Sequence, residues 1–402
     1  MVTARDESKT LSLSERGLFR NVLALGLVSF FTDISSEMVF SILPTFILEL
    51  PGSGAAALGL IEGLAENLSY TLRAISGLIS DKFRKRKIIV LVGYALSNVV
   101  KPFFAVAQSI LDALVIRVSD RVGKAIRTAP RDALLSDSVP EEKRGVAFGI
   151  HRTLDQSGAI IGPLLASIIL FLGSSARMVF LLSFIPGSIA LIILIFMVQE
   201  RFGGVSGRFR VMGNLREVVR GRFPLLLLVV GIFSLGAFNF SFILLNARES
   251  GISDELIPIV YLIINLAHTL IAIPSGILSD RVGRERVLAM GYGTFLVTCL
   301  LLSLLPKNHI NAFIIAIFFG LYMGILETVQ RALVPKYAER SDLMGTAYGL
   351  YYLVVGSAFL VANLIVGLLW QIGGSAIATT YSITLSATAI LGMALLTSSV
   401  GR

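Results

Sequence analysis

Ser76-Gly77-Leu78-Ile79-Ser80-Asp81-Lys82 returns as Ser275-Gly276-Ile277-Leu278-Ser279-Asp280-Arg281, 199 positions further along a chain of 402 residues. Each copy closes a long apolar run and precedes a cluster of basic residues. The register continues downstream. Arg131, Gly145, Ala147, Gly149 and Gly173 match Arg331, Gly345, Ala347, Gly349 and Gly373 at an offset of 200. Matches spread over that length predict a duplicated unit. A polar stretch rich in Gly and Arg, 199–222, separates the copies and divides the chain into 1–198, a linker, and 223–402.

The composition says what kind of unit is duplicated. Hydrophobic residues make up 55% and charged residues 15% of the chain, against roughly 45–50% and about 25% in soluble domains. Mean hydropathy is +0.81. An integral membrane protein is implied. About 20 apolar residues cross a bilayer as a helix. Twelve such runs are readable: 19–48, 54–80, 88–108, 110–136, 145–172, 177–199, 223–246, 253–280, 287–305, 310–334, 344–371 and 375–397. They are continuous and lack the alternation of a membrane strand, so an all-α bundle is expected and a barrel is not. The polar N-terminal segment does not read as a cleavable signal.

Basic residues give the sidedness. With a cytoplasmic N-terminus, 25 of the 35 Lys and Arg fall in inner segments, and only Arg177, Arg248 and Lys307 in outer ones. That bias predicts both termini in the cytoplasm. It also explains the net charge of +9 without nucleic acid as a partner. Cys299 has no second cysteine to pair with, and His151, His268 and His309 are scattered. No metal and no cofactor are expected. Neither a phosphate-binding Walker sequence nor a metalloprotease or hydrolase motif occurs, so the chain does not read as an enzyme.

Gly77, Asp81, Lys82, Lys85 and Arg86, then Gly276, Asp280, Arg281, Gly283, Arg284 and Arg286, resemble the G-x-x-x-D-R-x-G-R-[RK] signature of the major facilitator superfamily. The first copy carries Arg84 where the signature has Gly. The resemblance covers the whole chain. It implies two six-helix bundles related by a pseudo-twofold axis around a central cavity, alternating access by rocking of the bundles, and a conformational latch role for the two signature copies. Arg117 followed by Gly123 is similar to the fourth-helix signature, with Arg121 at a position the family gives to Gly. Gly158, Gly162 and Pro163 resemble the G-x-x-x-G-P element of antiporters and exporters. Read physically, the same residues are a close-packing face with a proline kink.

Seven basic residues remain inside the spans: Arg73, Lys101, Arg117, Arg121, Lys124, Arg127 and Arg152. Seven acids accompany them: Asp33, Glu37, Glu62, Glu66, Asp120, Asp155 and Glu327. Each charge costs about 2.5–3.5 kcal/mol at a helix centre, so they must face water or one another. Asp33 with Glu37, Glu62 with Glu66, and His151 with Asp155 are four apart and share a helix face. Arg117, Arg121, Lys124 and Arg127 fall within a sector of about 120°. Asp33, Glu37, Glu62, Glu66 and Asp155 are the proton-coupling candidates, with Asp33 first and Glu37 second. The alternative for each is a static ion pair. The basic stripe, Arg117, Arg121, Lys124 and Arg127, is a candidate for an anionic substrate group or for neutralising those acids.

In the second half, Asn239, Tyr261, Asn265 and Glu327 are candidate contacts in the cavity. Glu327 lies four residues before Arg331 and is expected to pair with it; His268 reads as isolated. The expected function is secondary transport of a small solute in the plasma (inner) membrane by a monomer, proton-coupled and outward. The alternative is an importer or exchanger of a small anion.

Overall fold

The computed structural model describes residues 13–83, 86–200, 218–338 and 343–398. Among them no strand occurs. The first half holds α1 (Leu13–Phe40), α2 (Leu43–Glu49), α3 (Ala55–Phe83), α4 (Arg86–Val100), α5 (Ile110–Ser136), α6 (Arg144–Phe171), α7 (Ala176–Leu182) and α8 (Phe184–Met197). The second half holds α9 (Phe223–Gly236), α10 (Ser241–Glu249), α11 (Ile257–Val282), α12 (Arg284–Leu304), α13 (His309–Val329), α14 (Val334–Tyr337) and α15 (Met344–Ser398).

Nine helical stretches of the described residues are long and apolar enough to cross a membrane. Two helices of crossing length, α3 with 29 residues and α5 with 27, are outside that set because of the charges they carry. One stretch, α15, runs 55 residues through a break at Gly374. Its φ of 73° is a left-handed conformation open to glycine at little cost.

The runs legible in the sequence are interrupted more often than hydropathy reveals. The expected helix 19–48 breaks at Ser41–Ile42, where Pro44 starts α2. A 3-10 turn, Lys101–Val106, ends the helix expected over 88–108. The helix expected over 223–246 opens at Ala237–Phe240. Irregular backbone at membrane depth survives only if its polar groups are satisfied. Here Asn239 Oδ1 accepts from the Ser241 amide (2.9 Å), and Asn363 Oδ1 accepts from the Asn239 amide (3.0 Å).

Small residues set the helix contacts. α6 lies on α1 at Gly158 and Gly162. A Cβ on Gly162 would stand 2.8 Å from the Ile34 carbonyl oxygen and 2.9 Å from Glu37 Cβ. α13 lies on α11 at Gly320, where a Cβ would stand 2.7 Å from Ala267 Cβ. Between the chain halves, α3 runs along α15 and α6 along α11. Gly59 faces the Asn363 carbonyl on the first of these seams. The central space is thus walled by α1, α3, α5 and α6 on one side and α9, α11, α13 and α15 on the other.

Candidate functional site

That space is a cavity of about 500 Å³, the size of a small-molecule site. Its two walls differ in chemistry. The first half contributes Asp33, Glu37, Glu66, Arg121, Lys124, Arg127, Asp155 and other polar groups. The second half contributes mainly Phe238, Phe240, Phe319, Tyr322, Tyr351 and Phe359, with Asn239, Tyr261, Asn265 and Glu327 among them.

On α1, Asp33 and Glu37 face the cavity one turn apart, and the Gly158–Gly162 edge of α6 packs beside both. Asp33 stands beside Asp155 of α6, carboxyl facing carboxyl. Ionised carboxylates only accept, so a hydrogen bond between the two would need a proton to share. Asp155 also accepts from Ser29 Oγ (2.6 Å) and from Arg152 Nη1 (3.1 Å). Glu37 has a partner in the other half of the chain: Tyr261 Oη donates to it at 2.5 Å. Asn265 Nδ2 reaches the Ala159 carbonyl (3.4 Å) one turn further along α11.

The basic stripe of α5 divides. Arg117 makes a two-pronged bond to Glu62, with Nε to Oε1 at 3.1 Å and Nη2 to Oε2 at 2.7 Å. Arg117 is fully buried and Glu62 is 1% exposed. Neither lines the cavity, and both sit behind it. Asp120 Oδ2 is 3.8 Å from Arg117 Nη1. Arg121 pairs with Glu66 at 3.5 Å. The Arg117 and Arg121 guanidiniums stand 4.1 Å and 4.7 Å from the Phe40 ring centroid, close enough for cation–π attraction. Arg127 donates to Ser97 Oγ (2.6 Å) and lies over Tyr94. Lys124 lines the cavity and has no ion pair or side-chain hydrogen bond among the described residues. Lys101 is fully buried behind α1, donating to Ser35 Oγ (2.6 Å) and Ser36 Oγ (3.2 Å).

The expectation for Glu327 needs correcting. Its carboxylate faces His268 Nε2 of α11 at 3.4 Å, while Arg331 donates to the Glu327 carbonyl. His268 is therefore not isolated. Hydropathy spacing finds partners along one helix and is blind to a neighbour on another.

The cavity closes at one end and opens at the other. At the closed end Arg248 donates to the Thr45 carbonyl (3.2 Å) and to Glu49 (2.9 Å), Gln371 accepts from the Ala56 amide (3.2 Å), and Ser167 Oγ donates to the Glu255 carbonyl (2.7 Å). At the open end lie Arg131, Asp132, Arg331 and a second recess bounded by Glu327, Thr328, Tyr348 and Tyr352. Here the second signature copy joins α11 to α12. Gly283 turns the chain with a φ of 100°. Arg284 donates to the Ala332 carbonyl (2.9 Å), and Tyr337 Oη donates to Glu285 (2.9 Å). Gly276, Asp280 and Arg281 lie on the last turns of α11. Gly77, Asp81 and Lys82 of the first copy, and Arg73, fall outside the residues described at side-chain level.

A helical shell around a two-walled central cavity is the form of a solute carrier. The model of the Major Facilitator Superfamily matches residues 25–363 and, again, 225–401. An uncharacterized MFS-type transporter of Methanocaldococcus jannaschii is 37% identical over 366 residues, covering 89% of this chain and 90% of that protein. The multidrug resistance protein MdtG of Escherichia coli is 27% identical over 335 residues, 79% of this chain and 78% of its own. In fold, a crystal structure of the nucleoside transporter NupG superposes with a TM-score of 0.71 at 13% identity, covering 95% of this chain and 99% of that one. This chain belongs to the major facilitator superfamily. It is a multi-pass membrane transporter of small molecules and not an enzyme.

Proposed function

We propose that this transporter is a proton-coupled exporter of a small solute in the plasma membrane. It acts as a monomer through twelve crossings, with bundles 1–198 and 223–402 joined by the linker 199–222 and both termini in the cytoplasm. The twelve are the nine apolar stretches, the charged α3 and α5, and a second crossing after Gly374 in α15. In that topology the structure is the inward-open form, with Arg248 and Glu49 closing the outer end. Cysteines introduced at Ser53 and Asn308 should then react with an impermeant thiol reagent outside intact cells, and one at Glu142 should not. Cys299 is buried and gives little background. Reaction at Glu142 from outside would overturn the orientation.

The observation that carries proton coupling is the Tyr261–Glu37 hydrogen bond. It ties a titratable carboxylate of one bundle to the other bundle. Protonating Glu37 replaces a charge-assisted bond by a weaker neutral one, so proton occupancy biases the contact that must part when the bundles rock. Asp33, beside Asp155 and one turn from Glu37, is the first loading point for the proton, and Glu37 is the second. Asp81 and Asp280 serve as latches at the inner helix ends and do not bind solute. Outward direction is supported by the likeness to MdtG and by the Gly158–Gly162–Pro163 edge beside both carboxylates. Weighing against anion transport, Arg117 is bonded to Glu62, Arg121 is paired with Glu66 and Arg127 donates to Ser97. The decisive experiment is a proteoliposome flux screen across solute classes with and without a pH gradient. Solute flux indifferent to the gradient for every transported compound would exclude coupling.

A further inference from the structure

The second-half wall of the cavity carries polar groups that the protein itself leaves unused. Tyr322 of α13 and Tyr351 of α15 both line the cavity, and each is only 4% exposed. Neither phenol makes a hydrogen bond among the described residues. Tyr261, by contrast, spends its hydroxyl on Glu37, and Tyr381 on the Leu235 carbonyl. Asn239 also lines the cavity: its Oδ1 serves the Ser241 amide and hydroxyl, while its Nδ2 makes no hydrogen bond among the described residues. Aromatic faces surround these groups. The Tyr322 ring centroid lies 4.6 Å from that of Phe295 and 5.4 Å from that of Phe319, and Phe319 stacks on Phe238 at 6.0 Å. The titratable groups of this wall, Glu327 with His268 and then Arg331, stand toward the open end.

A buried hydroxyl or amide without a partner is costly. Water can serve these groups while the cavity is open, but when it closes on its cargo the cargo must. An ionised head on this wall would exchange its water for rings and hydroxyls alone. A flat ring matches the aromatic faces, and an oxygen acceptor matches the donors. We propose that the second-half wall recognises the solute, and that the solute is an uncharged ring compound with carbonyl, ether or hydroxyl oxygens, held by hydrogen bonds from Tyr322 and Tyr351. This rests on the transport reading above and names the class of its cargo. It also divides the work of the cavity: protons load on the carboxylates of α1 while a neutral solute binds opposite them, so the two do not compete for one group.

The test measures binding to the whole transporter in lipid nanodiscs, with empty nanodiscs subtracting what dissolves in the lipid. Four probes share one ring skeleton: fluorenone, which is neutral and has a carbonyl; fluorene, which lacks the oxygen; aminomethylfluorene, an ammonium; and fluorene carboxylate, an anion. Fluorenone should bind about tenfold more tightly than each of the others, because a site built to hydrogen-bond a group rejects the analogue without it. Tyr322→Phe and Tyr351→Phe keep the ring and remove the hydroxyl. Each should weaken fluorenone about tenfold and leave fluorene unchanged. Tyr292→Phe removes a hydroxyl that is equally unpartnered but fully buried behind the wall, and should alter neither. Preference for either ion, equal binding of fluorenone and fluorene, fluorenone binding untouched by both variants, or no specific binding of any probe overturns the inference. If a phenylalanine variant folds poorly, the ranking of the four probes on the parent still decides. Solute flux indifferent to a pH gradient would leave this binding pattern standing and remove only the proton coupling.

Discussion

Glu62→Gln is expected to cost about 3–5 kcal/mol of stability, seen as a large fall in the melting temperature of the purified transporter in detergent. The reason is the company Glu62 keeps. Arg117 is fully buried, and both of its bonds to Glu62 are lost or weakened by the amide, while its charge remains. Asp120 at 3.8 Å and the Phe40 ring at 4.1 Å are too weakly placed to replace a two-pronged carboxylate. Removing the charge on both sides, as Glu62→Gln with Arg117→Met, should recover most of the loss. Replacing a buried pair by groups of similar volume is often close to neutral. A single variant that melts like the parent, or a double variant less stable than the single, would exclude this account. The outcome also bears on coupling: a carboxylate locked in this way is a brace between α3 and α5, not a site that loads and releases protons.

How far the sequence foretells such a network depends on which axis the partners share. The offset repeat, the apolar runs and the basic bias are properties of the chain read in one dimension, and the family is legible from them. The grouping of Asp33 with Glu37, and of the four basic residues on α5, follows from helical period alone; Asp33, Glu37, Arg121, Lys124 and Arg127 line the cavity, while Arg117 sits behind it. Which carboxylate meets which guanidinium depends on helix rotation and on the crossing point, and those depend on where a glycine admits a neighbour. Glu62 and Glu66 look equivalent by spacing, yet one is sealed behind the cavity and the other lines it. His268 and Glu327 come from different helices, so no periodicity joins them. The Tyr261–Glu37 bond spans the two chain halves and leaves no trace in either. Breaks such as Ala237–Phe240 are hidden because their residues are as apolar as the helices around them. Asn239 and Asn363, which satisfy that break, were the one available hint.

Asp33→Asn is expected to abolish accumulation of solute against its gradient while sparing exchange. With one proton per solute, a gradient of one pH unit supports about a tenfold concentration ratio, and in the variant that ratio should fall to about one. The geometry explains why the lesion is this selective. Asp33 stands beside Asp155 and has no ion pair with an arginine among the described residues. The amide of asparagine can donate to Asp155, so the α1–α6 contact at Gly158 and Gly162 should be preserved. What disappears is the capacity to give the proton up. Solute-for-solute exchange does not need that step and should continue. A purely structural role for Asp33 makes a different prediction: exchange and net flux would fail together, with a lower melting temperature. Because Arg117 and Arg121 are held by Glu62 and Glu66, removing either of them should not rescue the variant; the charge left with a changed partner is Asp155, held by Ser29 and Arg152. Asp155→Asn supplies the complementary measurement. If the pair works as a shared proton site, it should lose gradient-driven accumulation as Asp33→Asn does. Undiminished accumulation in Asp33→Asn would leave Glu37 as the remaining coupling carboxylate on α1.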